Sequence, residues 1–233
     1  MNKEQFLDEL TKLNITLTTD QLNKLDLFYK ILVDWNNKIN LTSIIREEDV
    51  YLKHFYDSLT LIKAIDLTKN IKLCDVGSGA GFPGIVLKIV YPNLDITLID
   101  SLNKRVIYLN EVINKLELTN IQAIHTRMED YSKKHEEKFD IITARAVANT
   151  KLLTEICIKA LKINGKLVFM KANINNELDN INQLFNDLGC NLENIIRFKL
   201  PIEESNRSLV IITKNSMTKK QYPRRIHIIK KTL

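Results

Sequence analysis

The sequence predicts an α/β fold: a doubly wound, mostly parallel sheet of seven strands, with an antiparallel hairpin at one edge and a helical cap ahead of it. Three observations lead there. Up to about residue 65, apolar residues recur at helical spacing; after residue 70, short strand-like runs alternate with amphipathic stretches. Four of the six glycines, Gly77, Gly79, Gly81 and Gly84, fall within eight residues, between an apolar run and a helix-compatible one. Backbone there has to bend tightly and let a ligand come close, which side chains would prevent. Near the end, two strand-like segments are joined by a connection too short for a parallel crossover.

The elements follow in order. Phe6, Leu7, Leu10 and Leu13 form one short helical face. Thr19-Asp20 has the chemistry of an N-cap, and Leu22, Leu25, Phe28, Leu32, Trp35 and Ile39 form the stripe behind it. A third helix spans roughly Glu47 to Ile65, with Tyr51, Phe55, Leu59 and Ile62 on one side. Strands are expected at Ile71–Val76, Ile96–Asp100, Ile121–His125, Phe139–Thr143 and Lys166–Met170. The helices between them are expected at Gly84–Tyr91, Leu102–Leu116 and Lys151–Leu161. A helix over about Asn176–Leu188 then precedes the hairpin strands Asn194–Leu200 and Ser208–Thr213. Three regions result: a cap over 1–66, a core over 67–214 and a tail over 215–233.

Composition excludes several classes. No run of 18 apolar residues exists, so no membrane span is expected, and the opening Met1-Asn2-Lys3-Glu4-Gln5 has no apolar signal core, so a cytoplasmic protein is expected. Cys74, Cys157 and Cys190 lie far apart in apolar segments, without the paired spacing of a metal site; no metal is expected. Net charge is +6, but its placement matters more. Eight of the 34 basic residues and none of the 28 acidic ones lie in residues 205–233, which leaves 26 against 28 in the rest. A basic tail on a near-neutral body fits a polyanion, and it also fits a solvated terminal segment.

Strand, glycine loop and helix form the entrance to a nucleotide-type site. Gly79-Ala80-Gly81-Phe82-Pro83-Gly84 matches the dinucleotide pattern literally, though glycine-rich stretches produce that match easily. A P-loop is excluded because no Lys-Ser/Thr follows. The third reading is S-adenosylmethionine. Asp75, at the end of the first strand and facing the ligand's approach, would repel a pyrophosphate but suits the ammonium of a methionine moiety. Asp100, ending the second strand, can accept bonds from a ribose of either ligand. Met128, after the third strand, offers an apolar surface to adenine, or is core filling. The edge hairpin and the lack of a separate substrate domain also favour a methyltransferase over a dehydrogenase.

Dispersed along nearly the whole chain is a pattern that resembles the bacterial small-subunit ribosomal RNA guanine-N7 methyltransferases, the glucose-inhibited division protein B family. It comprises Trp35-Asn36 with Asn40-Leu41-Thr42-Ser43, His54 with Asp57-Ser58-Leu59, and Asp75-Val76-Gly77-Ser78-Gly79-Ala80-Gly81-Phe82-Pro83-Gly84. It continues through Asp100-Ser101 with Lys104-Arg105, Ala144-Arg145-Ala146, Met170-Lys171, Arg207 and Tyr222-Pro223-Arg224-Arg225. The tail beyond, Ile226 to Leu233, departs from the family's glycine- and proline-containing ending. The resemblance implies a Rossmann-type class I methyltransferase core and S-adenosyl-L-methionine as cofactor. It implies 16S ribosomal RNA, or the small ribosomal subunit, as partner, and N7 of a guanine as target. It also implies cofactor contacts from Gly77, Phe82, Met128, Glu129 and Arg145; the residues themselves add Asp75, Gly79 and Asp100.

Arg145 is the expected catalytic residue. It follows an apolar strand, and its guanidinium could hold the methionine carboxylate, a phosphate or the guanine O6/N7 edge, or else a neighbouring carboxylate. His54 and Asp57, one turn apart, read as a local pair packing the cap on the sheet. Asn40 and Ser43 read as turn and cap residues, and Trp35 as core or else a base-stacking platform. Lys104, Arg105, Lys171, Arg207 and the tail's Lys219, Lys220, Arg224 and Arg225 are candidate phosphate contacts. A monomer is expected. The rivals are a methyltransferase acting on another RNA or a small molecule, and a non-catalytic RNA-binding relic of the fold.

Overall fold

A computed structural model of the chain describes residues 1–231. The cap begins with α1 (Lys3–Thr11) and α2 (Thr19–Ile39). Asn2 and Thr18 close these helices as capping boxes with Gln5 and Gln21, each side chain satisfying the other residue's backbone N–H. Asn40 ends α2 in the left-handed region, as its turn reading requires. A continuous helical run follows: α3 (Glu47–Val50), a π-helical turn over Tyr51–Tyr56, α4 (Asp57–Leu59) and a 3-10 turn over Thr60–Lys63.

The core alternates β1 (Lys72–Val76), α5 (Gly84–Val90), β2 (Asp95–Asp100), α6 (Asn103–Lys115), β3 (Ile121–His125), α7 (Met128–Lys134), β4 (Phe139–Arg145), α8 (Thr150–Cys157) and β5 (Leu161–Lys171). Then come α9 (Asn182–Leu188), β6 (Cys190–Lys199), β7 (Asn206–Lys214) and α10 (Ile226–Lys231). The strands form one sheet in the order β3-β2-β1-β4-β5-β7-β6. All pairs are parallel except β5 with β7 and β6 with β7. Strand order reverses between β1 and β4, so a crevice opens at the carboxyl ends of those strands.

Two buried clusters flank the sheet. One joins the cap, α5 and α6 through Phe28, Phe55, Leu87, Leu98 and Leu109. The other joins α7, α8, α9 and the tail through Phe139, Leu153, Phe169, Phe185 and Tyr222. Cys74, Cys157 and Cys190 are unpaired and buried, as read from the sequence.

Several boundaries differ from the reading above. The first cap of α2 is Thr18 rather than Thr19-Asp20. β5 begins at Leu161, five residues early, because a register shift between Phe139 and Ile141 lets Leu161 pair with Phe139. That takes the last residue of the helix expected over Lys151–Leu161; α8 stops at Cys157 and a 3-10 turn leads out. α9 starts six residues late, since Asn175 and Asn180 adopt positive φ and break the helix. α7 and α10, of seven and six residues, were not anticipated; neither is long enough to show a helical period.

Candidate functional site

The glycine loop leaves β1 as a set of backbone-defined turns. Gly77, Gly79 and Gly81 have φ of +68°, +55° and +93°. Gly77 N–H donates to the Ile99 carbonyl at 2.7 Å, which ties the loop to β2. Asp100, only 2% exposed, holds the loop from below: its Oδ2 accepts from Gly79 N–H and its Oδ1 from Leu102 N–H, both at 2.9 Å. Asp75 is fully buried and does not face open space as expected. Its Oδ2 accepts from Gly84 N–H at 2.9 Å, at the start of α5, while its Oδ1 has no partner. Burial pushes this carboxyl up to about 7, against the lowering effects of the Gly84 N–H and the nearby Arg145.

Two cavities open above these strand ends. The first, about 280 Å³, lies beside Gly77 and is lined by Ile99, Ser101, Met128, Glu129 and Val147 among others. Met128 opens α7 with its side chain buried, and Glu129 sits in the first turn of that helix. The second, about 550 Å³, lies above β4 and β5 and includes Lys53, His54, Asp57, Arg145, Lys171 and Arg207. Val147 and Ala148 belong to both linings. Val147 lies over the glycine loop so closely that a Cβ on Gly77 would stand 2.7 Å from its Cγ2.

The second cavity has a charged wall built from three places in the chain. The π-helical turn shifts the Asp57 N–H to the Leu52 carbonyl, past that of Lys53. Arg145 takes the Lys53 carbonyl instead, donating from Nη1 at 2.8 Å, and also donates to Asp57 Oδ2 at 3.1 Å. Its Nη2 donates to His54 Nδ1 at 3.1 Å. Nδ1 also lies 3.2 Å from the Lys53 carbonyl, to which Arg145 already donates; a guanidinium only donates, so Nδ1 accepts and the proton sits on Nε2, 3.1 Å from Thr42 Oγ1. Burial and the adjacent Arg145 charge push His54 down to about 3, so it is neutral at physiological pH. Asp57 Oδ1 accepts from Arg207 Nε at 3.1 Å, so one carboxylate joins the cap to β4 and β7. Phe82 is buried under this wall, stacked on His54 at 4.3 Å and 5.2 Å below the Arg145 guanidinium.

The structure therefore brings Gly77, Met128 and Glu129 together at one cavity and Arg145 with His54, Asp57, Lys171 and Arg207 at the other. Asp75, Gly79 and Asp100 shape the loop from behind, and Phe82 supports Arg145 from the core. Arg145 itself makes the carboxylate pair that was one of its open readings. Trp35 is partly buried against Tyr108. Of the tail cations, Arg224 is bound to the fully buried Glu155 through Nε and Nη2, at 2.9 and 2.6 Å, and Lys219 is paired with Asp187. Lys220 and Arg225 have no carboxylate partner among the described residues. Sequence reasoning missed Val147, Ala148, Ser101, Thr126, Ile226 and Lys230 as lining residues. Ser101, directly after Asp100, carried a positional signal; the others are brought in by loop and tail paths that no periodicity encodes. Among the described residues no group of His, Cys, Asp and Glu could hold a metal, and no helix is long and apolar enough to cross a membrane.

Solved structures share this architecture. The chain overlays a SAM-dependent methyltransferase from Aquifex aeolicus with TM-score 0.51 and 18% identity, over 72% of this chain and 94% of that one. It overlays a precorrin-6y C5,15-methyltransferase from Geobacter metallireducens with TM-score 0.51 and 14% identity, over 68% and 87%. At such identities the likeness concerns the fold. In sequence the chain is 44% identical over 228 residues to the ribosomal RNA small subunit methyltransferase G of Bacillus thuringiensis, 97% of this chain and 95% of the relative. The same figures hold for the Bacillus cereus protein of that name. The family model described as rRNA small subunit methyltransferase G matches residues 21–209, which takes in the long cap helix, the glycine loop, the Arg145 wall and most of the edge hairpin. With the fold, the two-cavity crevice and these matches in agreement, the chain belongs to the rRNA small subunit methyltransferase G family.

Proposed function

We propose that this chain transfers a methyl group from S-adenosyl-L-methionine to N7 of a guanine in the 16S ribosomal RNA of the small subunit. The observation that carries the reading is the pair of cavities meeting at Val147 and Ala148: one beneath a glycine loop, the other walled by Arg145. The first cavity fits the cofactor on two counts. A Cβ at Gly77 would intrude on its wall, and beneath the loop, behind the cavity's own lining, lies a buried carboxylate oxygen, Asp75 Oδ1, with no partner of its own. That oxygen suits an ammonium, Glu129 suits ribose or adenine hydrogen-bond donors, and Met128 suits the adenine face. Asp100, Gly79 and Phe82 keep the loop and the wall in place. In this reading residues 1–66 cap the base-binding side, 67–214 bind the cofactor and 215–233 are a basic tail.

When bound, the cofactor supplies an electrophilic methyl group on a sulfonium sulfur. Guanine N7 offers an in-plane lone pair and no proton at neutral pH, so no general base is needed. In keeping with this, His54 is neutral with its Nδ1 occupied by Arg145, and the two Asp57 oxygens are taken by Arg145 and Arg207. What the chain supplies is alignment and exclusion of water, which in favourable cases contribute about 7–11 kcal/mol. Three of the five Arg145 N–H groups are engaged by Lys53, Asp57 and His54. The others are left for an acceptor in the cavity, such as guanine O6. The N7 edge lies in the deep, narrow groove of A-form RNA, so the target is a splayed or loop base. The enzyme works in the cytoplasm as a monomer on ribosomal subunits. Mapping N7 methylation of ribosomal RNA by reductive cleavage, with and without the protein, tests this. One protein-dependent cleavage in small-subunit RNA is expected; methyl transfer to small molecules alone, or none with cofactor bound, overturns it.

A further inference from the structure

A third cavity, about 460 Å³, continues the row along the carboxyl edge of the sheet, beyond β5 and over the ends of β7 and β6. It shares Ala172, Asn173 and Arg207 with the Arg145 cavity, so the two are adjoining. Its charged lining is Arg197, Lys199 and Arg207, with no carboxylate among the lining residues. Register explains the grouping. Arg197 pairs with Ser208 and Lys199 with Asn206, which puts two cations and two neutral hydrogen-bonding side chains on one face. Phe198 pairs with Arg207 at the alternate register position, and both still border the cavity at the sheet's edge. Arg207 is already committed to Asp57, and Lys199 to Glu204 by an exposed pair at 3.0 Å. Arg197 has no carboxylate partner among the described residues.

A guanine placed in the Arg145 cavity has a phosphodiester on each side, and one of them must leave across a neighbouring surface. We propose that the third cavity receives the sugar-phosphate of the nucleotide next to the target guanine, with the phosphate on Arg197 and Lys199. The inference rests on the proposed activity and adds where the RNA strand runs: along β7 and β6, away from the tail. An exposed pair such as Lys199 with Glu204 is weak enough to yield to a phosphate, and Asn173, Asn206 and Ser208 supply neutral donors around it.

The test is equilibrium binding of small ribosomal subunits by the full chain across a potassium chloride series, for wild type, R197A/K199A, R197K/K199R and K220A/R225A. Cofactor affinity is measured in parallel by calorimetry. Loss of that one neutralised phosphate lowers the log–log salt slope by about 0.7 and weakens binding several-fold at low salt. Cofactor affinity stays unchanged, and R197K/K199R restores most of the binding because a phosphate is met chiefly as charge. An unchanged slope in R197A/K199A with intact cofactor binding overturns the assignment, as does a slope lost only in K220A/R225A. If R197A/K199A weakens binding while wild type transfers no methyl group to the subunits, the RNA path stands and the proposed activity falls.

Discussion

Asp75 departs from the geometry that its place at the end of β1 suggests. Its carboxylate was expected to face an incoming ligand; it is instead sealed beneath the loop, bonded to the start of α5, with Oδ1 unmatched. Burial raises its proton affinity when folded above that of the unfolded chain. Its stabilising contribution is thus fully present below about pH 4 and is lost as pH rises through about 7. A cation beside Oδ1 has the opposite preference and favours the ionised form. Cofactor affinity should therefore tighten as pH rises from about 5.5 to about 7.5, by up to about tenfold per unit. Asp75→Asn should flatten that dependence and weaken binding throughout, as read by calorimetry; a retained slope assigns the titration elsewhere. Gly84 gives the packing counterpart. A Cβ there would collide with Leu98 and stand 2.9 Å from Asp75 Oδ2. Gly84→Ala should cost about 1–3 kcal/mol in urea unfolding by overpacking. The need for glycine was legible in the sequence, because clustering in a glycine-poor chain is visible; the orphan oxygen was not, since it depends on where a rotamer points.

Between elements, much of the anchoring is by single ionic joints. Glu155 of α8 is fully buried and bound by Arg224, whose backbone N–H donates to Oε1 at 2.9 Å as well. Arg224→Ala would leave a buried carboxylate without its countercharge. It should destabilise the fold by about 3 kcal/mol, seen as a lower urea midpoint, whereas Arg225→Ala next to it should change the midpoint little. That contrast also separates two tail cations which look alike in sequence. The alternation of strands and helices was readable from apolar rhythm, and all seven strands occur where a run was seen. Their ends were not readable, because β5 is lengthened by a register shift with β4 and α9 is shortened by asparagines in left-handed turns. The π-helical turn at Tyr51–Tyr56 left no trace in the stripe of Tyr51, Phe55 and Leu59, yet it bypasses the Lys53 carbonyl that Arg145 binds. His54 and Asp57 are neighbours on one helix, but each is bound by Arg145, some 90 residues away, and Asp57 also by Arg207, 150 residues away, beyond any local pattern.

Across the whole molecule, the carboxyl edge of the sheet carries three adjoining hollows in the order set by β2-β1-β4-β5-β7-β6. The crevice itself follows from topology and was foreseeable; its subdivision comes from the short segment after β4, where Ala146 adopts φ +53° and turns Val147 back over Gly77. That turn makes one side chain a shared boundary: Val147 borders both the hollow beside the glycine loop and the hollow walled by Arg145. Under the proposed reaction, trimming it to alanine would reshape both hollows at once without removing a charge.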